Sequence, residues 1–239
     1  MEELTARADD LMGRGQWAEA EALLLSARDD ALAAGRTSAA LSLNSELMGF
    51  YRMYGKKEPF ESAMASSLAA LENMRVPPAA RGTILINAAT GLVAFGRAEE
   101  ALPYYAEAAE CYAAALPAGD YRFAALHNNM ATAYQASGEL DRAGEYMHKA
   151  VSILERLPHH PDLGVTYVNL AQLYAAKSDA AEASACLDRA MEIFDDPEML
   201  WDGYYAHTLQ KCVGAFEAFG RTTEAADLRE RAEVIYEGT

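Results

Sequence analysis

The sequence predicts an all-α chain, an α-solenoid of six antiparallel helix pairs. Three observations predict it: apolar residues at helical spacing, turns recurring at a nearly constant step, and small side chains at fixed offsets from each turn. The clearest unit is residues 123–154. Phe123, His127, Met130, Ala131 and Tyr134 lie on one helical face, Ala136-Ser137-Gly138 makes a turn, and Leu140, Ala143, Met147, Ala150, Val151 and Leu154 form a second face. Two short helices separated by a glycine make a hairpin that cannot bury its stripe alone, so it needs neighbours.

Those neighbours recur along the chain. Turns open at Gly15, Gly55, Gly96, Gly138, Ser178 and Gly220, in steps of 40, 41, 42, 40 and 42 residues. Five residues past each turn stand Ala20, Phe60, Ala101, Ala143, Ala183 and Ala225, and seven further on Ala27, Ser67, Ala108, Ala150, Ala190 and Ala232. Four residues before each turn stand Leu11, Tyr51, Leu92, Tyr134, Tyr174 and Phe216. Small residues at two fixed offsets mark places where helix backbones approach closely.

This register resembles the tetratricopeptide repeat across nearly the whole chain. The step exceeds that family's usual period of about 34 residues. The stretches HNNMATAY (127–134) and VNLAQLY (168–174) are similar to the longer repeats of kinesin light chains. The resemblance implies a right-handed solenoid that binds proteins or peptides along a concave face lined by the first helix of each pair. It names no partner.

Taken in order, the repeats span about 1–35, 37–75, 79–116, 120–157, 161–195 and 197–237, and the continuous register makes residues 1–239 one solenoid domain. In the first, Gly13-Arg14-Gly15-Gln16-Trp17-Ala18 formally matches a dinucleotide fingerprint. A helix rather than a strand precedes it, so the pattern carries no nucleotide site. Thr37 or Ser38 is the expected cap of the second repeat. There Phe60 replaces the small residue and should force the pair apart unless neighbours make room. Val76-Pro77-Pro78 leads into the third repeat, Asp120 caps the fourth and Asp162 the fifth. Asp196-Pro197-Glu198 reads as the start of the sixth. Arg7, Arg229 and Glu233 occupy positions that are apolar in inner repeats, as expected where a solenoid's ends meet water.

Composition narrows the function classes. The chain has 239 residues, 51% of them hydrophobic, and a net charge of −16, which opposes nucleic acid and anionic membranes as partners. Glu99, Glu100, Glu107 and Glu110 are read as a solvated outer face. Cys111, Cys186 and Cys212 show no C-x-x-C pair and sit in helical patterns, so they are read as buried thiols. No signal peptide or membrane-length apolar run is apparent, giving an expected cytoplasmic location.

By the family register, Asn87, Asn129 and Asn169 occupy one equivalent inner position, with Asn128 beside the second. One turn on come Thr90, Thr132 and Gln172, then Gln135; the sixth repeat supplies Gln210 and Lys211, and Glu46 interrupts the row. Amide side chains offer donors and an acceptor together and suit an extended peptide backbone. The competing role is hydrogen bonding within the solenoid. With Arg52 and Lys211 as the only inner cations in that register, a neutral or basic partner is favoured over an acidic tail.

No metal, cofactor or catalytic constellation is visible. His127 reads as a hydrogen-bonded core histidine, and His159-His160 lacks a third metal ligand. The expectation is a non-enzymatic scaffold or adaptor. The alternative is a peptide-responsive regulator of a separate effector, as in related bacterial solenoids.

Overall fold

Every turn of the register closes a helix for the same backbone reason. Gly15, Gly55, Gly96, Gly138 and Gly220 have φ between 65° and 83°, and Ser178 adopts the same left-handed geometry at 63°. The next amide donates to a carbonyl five residues back: Gln16 to Leu11, Lys56 to Tyr51, Arg97 to Leu92, Glu139 to Tyr134, Asp179 to Tyr174 and Arg221 to Phe216, at 2.8–2.9 Å. This is the Schellman closure, which satisfies a carbonyl the helix end leaves open. The aromatic or leucine four residues before the turn thus has two tasks, accepting that bond and packing its side chain. Ser178 takes the conformation despite its Cβ, a strained choice that glycine avoids elsewhere.

The computed structural model describes residues 2–238; Met1, which opens the first repeat, and Thr239 lie outside the described residues. Twelve helices and no strand occur among the described residues. They are α1 (Glu2–Gly13), α2 (Trp17–Ala33), α3 (Thr37–Met53), α4 (Lys57–Asn73), α5 (Pro78–Ala94), α6 (Ala98–Ala115), α7 (Tyr121–Ala136), α8 (Leu140–Leu154), α9 (Asp162–Ala176), α10 (Ala180–Phe194), α11 (Gly203–Ala218) and α12 (Thr222–Gly238). They pack as six consecutive pairs, in two compact units, Met1–Leu116 and Pro117–Thr239. In the first unit α3 packs on α2 and α5, and α4 on α5; in the second α9 packs on α7, α8 and α11.

The small residues five past each turn are buried: Ala20, Ala101, Ala143, Ala183 and Ala225 are at most 2% exposed. The second set is buried as well, except that Ala27 is half-buried. Phe60 is fully buried too, and its neighbour has made the room. A Cβ on Gly91 of α5 would lie 2.0 Å from the Phe60 ring, so the ring occupies the space a side chain there would need. The same device recurs at Gly82, which faces Tyr112 at 2.8 Å, and at Gly164, which faces Phe194 at 2.4 Å.

Within each unit, ion pairs that no local pattern announces join consecutive repeats. Lys56 reaches Glu21, Arg97 reaches Glu61 at 3.0 Å, Lys177 reaches Asp141 at 2.8 Å, and Arg221 reaches Asp188. Each cation sits beside a turn residue, and each carboxylate is on the second helix of the preceding pair. Exposed pairs of this kind add little stability singly; their shared geometry fixes register.

Several start signals need correction. Thr37 is the first residue of α3 rather than its cap, and its hydroxyl donates back to Gly35 O at 3.4 Å. Asp162 is the first residue of α9, after Pro161. Asp196 accepts from Glu198 N at 2.9 Å but closes only a turn; the sixth pair starts at Gly203, capped by Asp202, which accepts from Tyr205 N at 2.8 Å. The second signal wins because its helix follows at once. Asp120 caps α7 as expected, accepting from Arg122 N at 3.0 Å. Arg7, Arg229 and Glu233 are all exposed.

Candidate partner-binding face

In the second unit the polar face comes from α7, α9 and α11. On α9 the residues Thr166, Val168, Leu170, Ala171 and Leu173 are buried. That leaves Asp162, Val165, Asn169 and Gln172 as a stripe at three- and four-residue steps on the open side. The equivalent stripes carry Asn128, Asn129, Thr132 and Gln135 on α7, and Gln210 and Lys211 on α11. Thr132, Gln172, Gln210 and Lys211 are exposed, and Asn128, Asn129, Gln135 and Asn169 half-buried.

The amides divide into two groups. Asn128 Nδ2 donates to Thr166 Oγ1 on α9 at 2.7 Å, binding one repeat to the next. Thr132 Oγ1 donates to its own helix, at Asn128 O. Among the described residues Asn129, Gln135, Asn169, Gln172 and Gln210 make no side-chain hydrogen bond within the protein.

In the first unit the predicted residues are engaged internally. Asn87 Nδ2 donates to Ser45 Oγ at 2.7 Å, joining α5 to α3. Thr90 Oγ1 and the Tyr105 hydroxyl share a bond of 3.0 Å. Tyr105 is 1% exposed and burial pushes its pKa up to about 12, so that hydroxyl keeps its proton. Here Glu46 and Arg52, with Met12, Leu24, Phe50 and Met53, line a cleft of about 110 Å³. A cleft of about 340 Å³ in the second unit lies off the amide stripe, among Ser178, Ser184, Leu187, Phe219 and Arg221.

His127 differs from the expected hydrogen-bonded core histidine. Its Nδ1 is buried without a partner in the protein, and its ring lies 5.6 Å from Tyr146. Burial, with a smaller push from Lys149, lowers its pKa to about 4, so the ring is neutral at physiological pH. Helical register placed His127 on the packed face but gave no view of what packs there.

His159 joins two loops. Its Nδ1 lies 2.7 Å from Asp196 and its Nε2 2.9 Å from Glu198, and its φ of 51° is left-handed. The Asp196 hydrogen bond, reinforced by both carboxylate charges against some desolvation, raises its pKa. A raised histidine favours the folded state fully below its unfolded value of about 6.5 and loses that contribution as pH rises through the folded value. His159 is expected to titrate above that value by NMR, and His159→Gln to flatten stability against pH across neutrality. A midpoint at or below the free value would contradict the bridge.

Sequence reasoning also missed two residues at the start of these helices, Tyr121 and Tyr204. Tyr204 OH donates to Asp162 Oδ1 at 2.7 Å, and the Tyr121 ring lies 5.9 Å from that of His160, whose Nδ1 is 3.9 Å from Asp162 Oδ2. Tyr121 and Tyr204 are each 50% exposed. The available signal was their equal placement, directly or one residue after the helix start.

A family model described as tetratricopeptide repeat matches residues 121–196. Solved structures share the fold at low identity. BtubC (BKLC) from P. vanneervenii is 22% identical, with a TM-score of 0.62 over 94% of this chain and 91% of that one. Kinesin light chain TPR-like repeats from Podosopora anserina are 23% identical, with a TM-score of 0.57 over 82% of this chain and 94% of that one. A Rap protein complexed with competence and sporulation factor is 14% identical, with a TM-score of 0.65 over 97% of this chain and 73% of that one. No curated protein sequence matches. Among the described residues no helix is long and apolar enough to cross a membrane.

Proposed function

We propose that this chain is a protein-interaction scaffold that holds an extended, neutral or basic segment of its partner on the face made by α7, α9 and α11. The observation that carries the reading is the set of amides with no side-chain hydrogen bond among the described residues, headed by Asn129 and Asn169. Half-buried polar groups such as Asn129 and Asn169 usually find a partner, and here the partner would be another polypeptide's backbone. Asn128 supports the face from behind through its bond to Thr166. The match of residues 121–196 to tetratricopeptide repeats supports the same reading.

The test replaces both free asparagines. A partner segment captured from the source cell and measured by fluorescence anisotropy should bind Asn129→Ala/Asn169→Ala about tenfold more weakly, as expected for two lost hydrogen bonds. Unfolding should shift by no more than about 0.5 kcal/mol. Unchanged affinity with lowered stability would assign the asparagines to the fold instead.

A second reading is a ligand-responsive regulator of a separate effector. It is favoured by likeness to a Rap protein solved with a bound factor. Scattering profiles that differ between free and partner-bound chain would support it, and superimposable profiles would leave the scaffold.

A further inference from the structure

The start of α9 carries a constellation that the amide face does not explain. Asp162 is its first residue, and two of the helices that pack on α9 each bring a tyrosine to it. Tyr204, second residue of α11, bonds Asp162 Oδ1 directly. Tyr121, first residue of α7, reaches it through the His160 ring. Both tyrosine rings are half open to solvent, whereas Asp162 is recessed, its side chain 25% exposed. Burial and the Asp162 charge together raise the Tyr204 pKa, with Tyr121 contributing, which puts the two hydroxyls and the carboxylate in one neighbourhood.

Asp162 faces the His160 ring, and Arg122, the residue after Tyr121, is bound to Asp120 at 2.7 Å. A recessed carboxylate accepts hydrogen bonds and offers none. The His160 nitrogen lies 3.9 Å from its second oxygen, beyond hydrogen-bond reach. Tyrosine faces attract cations, above all planar guanidinium groups. In a chain of net charge −16, the surrounding field draws the same sign of ligand.

We propose that Tyr121, Asp162 and Tyr204 form a subsite for an arginine side chain of the polypeptide lying on the α7–α9–α11 face. The inference rests on that face being the binding surface and adds what is read there. The guanidinium would stack against the tyrosine rings and donate to Asp162 Oδ2, while Tyr204 OH keeps Oδ1 in place. The asparagines contact backbone and carry no sequence information, so this subsite sets which segment binds and in which register.

The test uses the full chain labelled for NMR and two small probes, N-acetyl-arginine amide and N-acetyl-citrulline amide. Citrulline keeps the shape of arginine and removes its charge. The arginine probe should shift the amide signals of residues 121, 162 and 204 saturably. The citrulline probe should bind at least about fivefold more weakly, the scale of an exposed cation–π and charge contact. Asp162→Asn should abolish the preference. Tyr121→Leu, at an exposed position that leaves the carboxylate untouched, should weaken arginine binding about threefold and guards against misfolding of the first variant. Equal shifts from both probes, no shifts at these residues, or a preference that survives Asp162→Asn would overturn the subsite. Since neither probe is long enough to span the asparagines, its failure leaves the backbone-binding face standing. Loss of partner binding on replacing the asparagines tests that face separately.

Discussion

Gly91→Ala is expected to lower stability by about 1–3 kcal/mol, the cost of overpacking a filled core, and to become neutral or stabilising when Phe60 is also alanine. Alanine is the better helix former by up to about 1 kcal/mol, so propensity alone predicts a gain. The added Cβ, however, would meet the Phe60 ring at 2.0 Å. That ring is fully buried and lies 5.2 Å from Phe95, so it has nowhere to retreat. Phe60→Ala alone should cost about 3–5 kcal/mol through the cavity it leaves. In that background the Gly91 methyl enters empty space, and the propensity gain returns. Urea unfolding of the four proteins gives the coupling directly. Additive effects, within about 0.5 kcal/mol, would mean the ring and the glycine are not matched.

Two glycines of the second unit, Gly164 and Gly214, should give opposite signs. Gly164→Ala places a Cβ 2.4 Å from the ring of Phe194, which is 1% exposed. The Phe194 carbonyl also accepts from the Tyr205 hydroxyl at 2.6 Å and from Arg231 at 3.1 Å, so displacing this residue disturbs two bonds that tie α11 and α12 to the end of α10. A loss of about 1–3 kcal/mol follows. Gly214 is exposed on α11 with nothing within 4 Å of its would-be Cβ, and Gly214→Ala should gain about 0.5–1 kcal/mol. Thermal unfolding of the two variants decides the matter. Shifts of the same sign would show that helix propensity, rather than contact, governs these positions.

The helix pairs were legible because their signals are local. A left-handed residue and the carbonyl five positions earlier are neighbours in sequence, so Gly138 and Tyr134 announce a helix end before any tertiary contact forms. The start of the sixth pair was not legible, because Asp196-Pro197-Glu198 and Asp202 are both sound signals and only packing chooses between them. The ion-pair ladder was hidden for another reason: Arg97 and Glu61 are 36 residues apart, and no local pattern says that they meet.

The site divides along the same line. Helical register placed Asn87, Asn128, Asn129 and Asn169 on the first helices of their pairs. It could not say that Ser45 and Thr166 take up Asn87 and Asn128 while Asn129 and Asn169 keep their amides, since one residue step along α7 turns a side chain by about 100° toward a different neighbour. Asp162 read as a cap and became the centre of a tyrosine cluster, because its companions come from helices some forty residues away on either side.

By itself the sequence determined where each helix ends and which faces are apolar, through bonds between residues a turn or two apart. Only the tertiary structure decided which polar groups are already satisfied and which glycines serve as sockets for rings. Those outcomes depend on what the adjacent repeat presents at contact distance, and spacing along one chain does not encode that.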